Sequence, residues 1–340
     1  MIGALKFGWG GGRHRSKKFE LFNQVISLEN LFAAWQEFKK GKIKKQDVLE
    51  FMLQLEDNIF HLAQDLQSGS YQHAHYSSFL VSDPKLRHIH KACVRDRLLH
   101  HAIVRVIEPI FERIFIFDSY SSRFGKGTHK ALVRFEKFAW RLSQNNTKTV
   151  WILQCDVKKY FDSIDHDILL ALISKKIVDQ KLLNLLENII SSYHQETGKG
   201  IPLGNLTSQL FANIYLNQLD YFIKRKLSLK FYVRYADDFL VLGKSKAELV
   251  SILCKITEFL KTALNLSLHP QKVSIQKWHQ GIDYLGYVSF PHHRILRTKT
   301  KIRMFKRVEK KNFASYSGIL KHCRGHELQA ELVDKIFGLH

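Results

Sequence analysis

Two adjacent aspartates interrupt an apolar segment in the last third of the chain, and this pattern restricts the fold more than any other. Residues 231–235 and 239–242 are short aliphatic and aromatic runs, and they flank the tetrapeptide Tyr235-Ala-Asp-Asp238. Two such runs around a short polar turn predict a β-hairpin. Neighbouring carboxylates repel each other unless a cation compensates them, but aspartate is also a common turn residue. The hairpin alone leaves a metal site and a plain exposed turn open.

A third aspartate, Asp156, ends another apolar run at residues 150–155. Taken alone, it is also typical of a strand end or a helix cap. If its strand pairs beside the hairpin, Asp156 and Asp237 come close together. Asp238 is a candidate third member of the group. Carboxylates in that arrangement suit two Mg²⁺ ions about 3.5–4 Å apart, which hold the attacking and leaving oxygens of a phosphoryl transfer. The three aspartates are therefore our candidate catalytic and metal-binding residues.

The charge of the chain indicates its class of partner. The 53 Lys and Arg outnumber the 31 Asp and Glu, which gives a net charge of +22. Such an excess predicts a polyanionic partner, either nucleic acid or an anionic membrane surface. No stretch approaches the ~20 uncharged apolar residues of a membrane span. The four cysteines fit neither a disulfide framework nor a zinc site. We therefore expect a cytoplasmic protein without a membrane partner.

The order of predicted elements favours an α+β fold. Apolar residues recur at helical spacing in four segments, and strand-like runs lie between them. The helical segments are 28–67, 95–114, 204–226 and 246–264, and the extended ones are 69–91, 150–155, 271–277 and 282–290. No glycine-rich nucleotide fingerprint accompanies them, which argues against a doubly wound sheet. Residues 1–18 are glycine-rich and then basic, and we expect a flexible arm there.

From about residue 70 onward, six motifs in one order resemble those of reverse transcriptases. They are a finger region with Lys85, Arg87 and Ser122-Arg-Phe-Gly-Lys-Gly127, then Cys155-Asp-Val-Lys-Lys-Tyr-Phe161, Gly204-Asn-Leu-Thr-Ser-Gln209, Tyr235-Ala-Asp-Asp238, Leu268-His-Pro-Gln-Lys272 and Tyr284-Leu-Gly-Tyr287. The resemblance implies a right-hand polymerase whose antiparallel palm sheet carries the hairpin. Its implied domains are fingers 19–148, a palm 149–290 and a thumb 291–340, with the loop and helix 201–226 at the fingers–palm junction.

The same resemblance implies roles for individual residues. Asp156 and Asp237 would bind two Mg²⁺ ions, with Val157 and Asp238 as further members of the metal site. The remaining assignments concern the substrate and the leaving group: Lys85, Arg87 and Arg123 grip the incoming triphosphate, Val157, Gly204 and Gln209 support nucleotide and template, and Lys272 donates a proton to pyrophosphate. Phe161 follows Asp156 by five residues, where its ring would clash with a ribose 2′-OH and so select deoxynucleotides.

The segment 201–209 further resembles the reverse transcriptases of diversity-generating retroelements. Many relatives have glutamine before the glycine of this loop, whereas this chain has Leu203, and the loop ends with Ser208-Gln209. A leucine side chain cannot hydrogen-bond near the nascent base pair, so we expect lower fidelity. The resemblance implies that the errors fall opposite template adenines. An ordinary buried leucine is the alternative interpretation.

The implied partners are an RNA template, an RNA or DNA primer and dNTPs. Retroelement relatives also work with a small basic accessory protein and a structured RNA. Between residues 294 and 311 there are nine Lys and Arg against one acid, Glu309, as expected for a thumb that grips a duplex. Three alternatives stay open: an antiphage-defence enzyme, an intron-like reverse transcriptase and, from another class, a catalytically inactive RNA-binding scaffold.

Overall fold

The computed structural model describes residues 20–82 and 86–338. The predicted arm at 1–18 and the candidate Lys85 therefore lie outside the described residues. The chain divides into two compact units. The first unit comprises the described residues up to Phe115 together with Lys159–Asn217, and the second comprises Ile116–Lys158 and the described residues from Gln218 onward.

The secondary structure mixes helices with short antiparallel strands. The helices are α1 Leu21–Ile26, α2 Leu28–Phe38, α3 Gln46–Leu53, α4 Leu55–Ser68, α5 Val94–Glu112, α6 Thr128–Leu142, α7 His166–Ser174, α8 Gln180–Ser191, α9 Leu206–Tyr221, α10 Lys246–Leu264, α11 Thr298–Arg307, α12 Phe313–Leu320 and α13 His326–Phe337. The strands are β1 Ser77–Val81, β2 Arg87–Lys91, β3 Trp151–Asp156, β4 Tyr232–Tyr235, β5 Asp238–Gly243, β6 Ser274–Lys277, β7 Ile282–Tyr284, β8 Tyr287–Ser289 and β9 Arg294–Leu296. A π-helical turn, Phe222–Lys226, follows α9.

The first unit is built around α5, whose apolar stripe is fully buried. Leu98, Leu99 and Ile103 of this helix have no exposed surface, and α2 packs along it. Asp96 is buried in the same helix, where its carboxylate accepts hydrogen bonds from the Tyr71 hydroxyl at 3.0 Å and the Ala74 amide at 2.9 Å. These bonds compensate the cost of burying a charge. Strands β1 and β2 form an antiparallel hairpin in this unit.

The second unit contains the sheet that carries the aspartates. Its strand order is β4-β5-β3-β6, and all of its pairs are antiparallel. Helix α6 packs on β4 and β5, and α10 packs on β3 and β5. Strands β7, β8 and β9 form a separate antiparallel sheet whose buried residues share a core with α6. The apolar strand residues predicted from the sequence thus contribute to the buried core of this unit.

Several predicted elements are confirmed, and others need correction. The hairpin, the strand that ends at Asp156 and the helix at 95–114 are present with nearly the predicted bounds. The helical spacing over 28–67 corresponds to three helices, α2, α3 and α4. Gly41, with a φ of +69°, lies in the first break. The run at 282–290 contains two strands, because Leu285 and Gly286 form a turn with positive φ. The fingers, palm and thumb boundaries stay a prediction.

No helix within residues 20–82 and 86–338 is long and apolar enough to cross a bilayer.

The turn before β7 has no room for a side chain at Gly281. A Cβ there would lie 2.6 Å from the Phe290 ring and 2.9 Å from Val288 Cγ1, and the φ of Gly281 is +87°. We expect Gly281→Ala to lower the free energy of unfolding by about 1–3 kcal/mol, as measured by urea denaturation. Gly318→Ala is the control, since a Cβ meets nothing within 4 Å in α12 and should stabilise the protein by about 0.5–1 kcal/mol. Equal stability of both variants would contradict the tight packing at Gly281.

Candidate active site

Asp237 lies at the tip of a two-residue turn. Tyr235 of β4 pairs with Asp238 of β5, which leaves Ala236 and Asp237 as the connection. Ala236 has a φ of +54°, in the left-handed region that non-glycine residues seldom adopt. A conformation of this kind costs of the order of 1 kcal/mol and persists only where the surroundings impose it. Contacts from residues outside the turn must therefore stabilise this conformation.

Arg234 and Val157 hold both carbonyl groups of this turn. Arg234 is fully buried, and its Nη1 donates to the Ala236 carbonyl at 3.0 Å. The Val157 amide donates to the Asp237 carbonyl at 3.1 Å. The rest of the Arg234 guanidinium forms a fork on Asp220, with Nε to Oδ1 at 2.8 Å and Nη2 to Oδ2 at 2.6 Å. A paired, bidentate guanidinium is a rigid donor, so it fixes the position of the turn.

Asp220 is a buried acceptor with three donors on its carboxylate. Besides the two nitrogens of Arg234, the Tyr232 hydroxyl donates to Asp220 Oδ1 at 2.7 Å. Burial, and after it the Asp220 charge, raise the pKa of Tyr232 well above its usual value, so the hydroxyl remains a donor. The sequence analysis missed Arg234 and Asp220. The signal in the sequence was the single arginine of an apolar strand. If that strand is buried, the arginine needs an acidic partner.

The strand register places Asp156 directly opposite Asp238. Strands β3 and β5 pair antiparallel from Trp151 to Asp156, and Asp156 is the last partner in the ladder. Side chains of directly opposed residues have Cβ atoms about 4.5–5.5 Å apart. The register therefore sets Asp156 opposite Asp238, with Asp237 in the turn that precedes β5, and the convergence of all three carboxylates stays a prediction.

The Asp238 carboxyl is electrostatically unfavourable where it lies. Its Oδ1 is buried and has no hydrogen-bond partner. Burial, followed by the charges of Asp156 and Asp237, raises the pKa of Asp238 to about 8, although Gln154 and Lys272 act in the opposite direction. A carboxyl group with such a pKa is largely protonated at neutral pH. A nearby cation would restore its ionised form.

Lys272 is the cation that this site contains. Its Nζ lies 2.6 Å from Asp156 Oδ1, and both side chains are partly exposed. The backbone brings them together, because the His269 amide donates to the Asp156 carbonyl at 2.8 Å and the turn Pro270–Lys272 follows directly. Lys272 thus lies beside Asp156 as an ion pair, and its predicted role toward pyrophosphate stays a prediction.

The donor set suits Mg²⁺, which prefers a few carboxylate oxygens completed by water and phosphate. The uncompensated Oδ1 of Asp238 is consistent with a cation beside it. Within the described ranges, however, no three His, Cys, Asp or Glu side chains are grouped so that they could hold a metal ion as they stand. Binding of Mg²⁺ would therefore require the side chains of this site to rearrange.

Arg123 is engaged within its own loop. Its Nη1 donates to the carbonyl oxygens of Ile116 and Ser119, at 2.6 and 2.8 Å. These bonds close the segment that leads into α6, which gives the residue a structural role here. Its predicted contact with a triphosphate stays a prediction.

Five of the other substrate-binding candidates lie in the first unit: Arg87, Phe161, Leu203, Gly204 and Gln209. Leu203 and Arg87 line one cavity of about 480 Å³ together with further residues, which are Leu86, His88, His90, Asp162, Tyr193 and Gln195. The His90 amide donates to the Leu203 carbonyl at 3.2 Å. Leu203 is half-buried and lines this cavity, so it is not a fully buried core leucine, and its role toward the base pair stays a prediction.

Three more candidates lie near the lining residues of that cavity in the sequence. Gly204 has a φ of +112°, and a Cβ there would lie 3.1 Å from Ile89 Cγ2, so the loop needs glycine. Gln209 is exposed in the first turn of α9. Phe161 is half-buried in a 3₁₀ turn, and its carbonyl accepts from the Ile201 amide at 2.9 Å. Their roles toward nucleotide and template stay predictions.

Comparison with known proteins identifies the family of this fold and site. A family model described as reverse transcriptase (RNA-dependent DNA polymerase) matches residues 82–289. Protein YkfC of Escherichia coli (strain K12) is 28% identical over 281 residues, which cover 71% of each chain. The group II intron-encoded protein LtrA of Lactococcus lactis subsp. cremoris is 25% identical and is covered over 49% of its length, against 68% of this chain. The chain thus spans about half of that relative.

Solved structures show the same fold at much lower identity. Apo telomerase from Candida tropicalis matches with a TM-score of 0.50 at 12% identity, over 79% of this chain and 57% of that one. Telomerase from Candida albicans, in complex with a fragment of telomeric RNA, also gives 0.50 at 12% identity, over 72% and 49%. These matches confirm the predicted α+β right-hand polymerase fold.

The ion pair beneath the turn gives a stability prediction. Arg234→Met would leave the Asp220 carboxylate buried without its cation, which should lower the free energy of unfolding by about 3–5 kcal/mol in urea denaturation. Arg297→Met is the matched control, because the Arg297–Asp283 pair is exposed and should contribute less than about 1 kcal/mol. Similar losses in the two variants would show that the buried pair does not hold the turn.

Proposed function

This chain belongs to the reverse transcriptase family, and we propose that it is an RNA-directed DNA polymerase that extends a primer with dNTPs on an RNA template. The observation that carries the proposal is the register of β3 against the hairpin. It sets Asp156 opposite Asp238, beside Asp237 and within reach of Lys272. A purely RNA-binding scaffold has no need for a buried carboxyl beside two further acids in a chain of net charge +22.

The proposed chemistry is attack of the primer 3′-OH on the α-phosphate of a dNTP. The new P–O bond forms as the bond to pyrophosphate breaks. Asp156 and Asp237 would hold two Mg²⁺ ions, with the Val157 backbone and Asp238 beside them. When bound, Mg²⁺ activates the hydroxyl and neutralises charge on the phosphates. Lys272, released from Asp156, would give its proton to the departing pyrophosphate.

The remaining candidates would select and hold the nucleotide. Arg87 and Arg123, together with Lys85, supply guanidinium and ammonium groups for a triphosphate. Phe161 would exclude a ribose 2′-OH. Gly204 and Gln209 would support the template and the nascent pair. For Arg123 this role requires the guanidinium to exchange its loop carbonyls for phosphate oxygens.

We further propose that synthesis is error-prone at template adenines, as in diversity-generating retroelements. The support is Leu203, whose apolar side chain lies half-exposed in a cavity otherwise rich in polar groups. A site that offers no hydrogen bond to the base pair discriminates less between right and wrong pairs. In this role the partners would include a structured RNA and a small basic accessory protein.

An intron-like role is the second candidate, and the similarity to the group II intron-encoded LtrA favours it. An antiphage-defence role shares the same polymerase core. Faithful copying of a defined RNA would move the assignment from diversification to one of these two roles.

Asp237→Asn tests the polymerase itself. Primer extension on a defined RNA template with Mg²⁺ and dNTPs should fall at least about 10³-fold, because loss of a metal-binding carboxylate removes several kcal/mol of transition-state stabilisation. Glu258→Gln, the same change of carboxylate to amide on the exposed face of α10, is the control and should extend normally. RNA binding without extension by either the unmodified protein or the control would favour the scaffold alternative.

Leu203→Gln tests the proposed infidelity. Sequenced products should show misincorporation opposite template adenines reduced by about tenfold, because glutamine restores a polar contact at the base pair. Leu86→Gln makes the same substitution in the same cavity, at a leucine that is 71% exposed, and should leave the error rate unchanged. An unaltered error rate opposite template adenines in Leu203→Gln would show that this residue does not determine fidelity.

A further inference from the structure

Helix α6 carries a row of cations on the face turned away from the core. Lys130, Arg134, Lys137 and Arg141 recur at helical spacing, and Val133 lies among them. The opposite face supplies buried residues to the core of the second unit. Packing of the helix therefore accounts for its apolar face, whereas the row of cations has no role in the proposed chemistry.

This row borders a groove of about 530 Å³ with an apolar floor. Phe117 is 65% exposed in the groove and Val133 is 43% exposed. Lys126 Nζ lies 3.5 Å from the centre of the Phe117 ring, and Lys130 and Lys137 stand along the rim. Large exposed rings between cations are uncommon on a surface that only faces water.

A second cavity of about 500 Å³ lies next to the first, and His322 lines both. It adds the rings of Trp140, Phe290, His292 and His293, with Arg294 and Arg324 beside them. We refer to the two cavities together as the α6 groove. None of Asp156, Asp237 and Asp238 lines it.

The α6 groove keeps a positive charge after its ion pairs are considered. Among the described residues that line it, Glu136 is the one acid, and both of its oxygens bind the Arg294 guanidinium. Arg134 binds Asp118 at 2.7 Å. Lys130 donates to the Gly125 carbonyl, a neutral group that cancels no charge. Lys130, Lys137 and Arg324 therefore give these cavities positive charge that attracts anions.

Rings alternating with cations match the chemistry of an unpaired nucleic-acid strand. Bases stack on aromatic and imidazole rings, each for about 1–3 kcal/mol, while the cations neutralise phosphates. A duplex would present only its backbone and would leave the rings without a partner. A lipid surface is flat and could not enter a groove of this kind.

We propose that the α6 groove binds a single strand of RNA. The choice of RNA over DNA rests on the proposed function, in which RNA is the template. The groove gives the strand a contact separate from the aspartate turn, so its binding does not depend on polymerisation.

Charge reversal on the rim tests the electrostatic part. Binding of a fluorescein-labelled, unstructured 20-nucleotide RNA is measured by anisotropy in full-length Asp237→Asn protein, where no synthesis occurs. Lys130→Glu with Lys137→Glu should weaken binding about tenfold at 100 mM salt. The slope of log K against log salt should become shallower by about 1.4, since each single-strand phosphate contact contributes ~0.7. The control pair is Lys255→Glu with Lys261→Glu, exposed on α10, which should change both quantities far less.

Crosslinking tests the location without any substitution in the groove. RNA that contains 4-thiouridine should crosslink to peptides within residues 117–140 and 290–294. Phe117→Leu should reduce the yield at the first peptide while the urea midpoint stays unchanged.

The proposal is overturned if both charge-reversal pairs weaken RNA binding equally, or if crosslinks fall only outside these peptides. It is also overturned if a DNA strand of the same sequence binds more tightly than RNA, or if vesicles containing 30% phosphatidylserine compete for the groove better than the RNA does. Primer extension is assayed separately, so its failure leaves these outcomes unaffected.

Discussion

The candidate active site depends on one buried ion pair. The guanidinium of Arg234 is committed to the Asp220 carboxylate on one side and to the Ala236 carbonyl on the other. Because both charges are desolvated, neither can leave without a large penalty, and the strained turn is fixed with them. The position of Asp237 thus follows from an interaction that never touches a substrate. A rigid support of this kind is what a site with repelling carboxylates needs.

The electrostatics of the three aspartates favour a cation beside them. Their mutual repulsion and the burial of Asp238 favour protonation of that carboxyl, with its pKa at about 8. Lys272 relieves part of the repulsion at Asp156. The fold supplies the packing energy that keeps these groups together, and the field they create favours positive ligands. The packing of the second unit's sheet therefore stabilises an arrangement of carboxylates that is unfavourable by itself.

Much of this arrangement was readable from the sequence, because apolar runs determine strands and polar interruptions mark turns. The hairpin and the strand of Asp156 followed from that rule. The Arg234–Asp220 pair did not, since its members are 14 residues apart and each alone resembles a surface charge. The helical spacing over 28–67 did not reveal the breaks between α2, α3 and α4, because no proline marks them. The assignments that rest on resemblance, such as Phe161 and Gln209, concern ligands that local patterns cannot define.

The connection from Asp220 to Arg234 has a consequence for how such chains can diverge. It contains the π-helical turn Phe222–Lys226, which already accommodates extra backbone per turn, and it enters a strand whose side chains alternate between two faces. Inserting or deleting one residue there would present Tyr235 or Val233 to Asp220 in place of the arginine. Ile223 and Tyr232 are also buried in this connector, so its length and these side chains are restricted together. Homologous chains should change its residue count by compensated pairs of insertions and deletions, or leave it untouched.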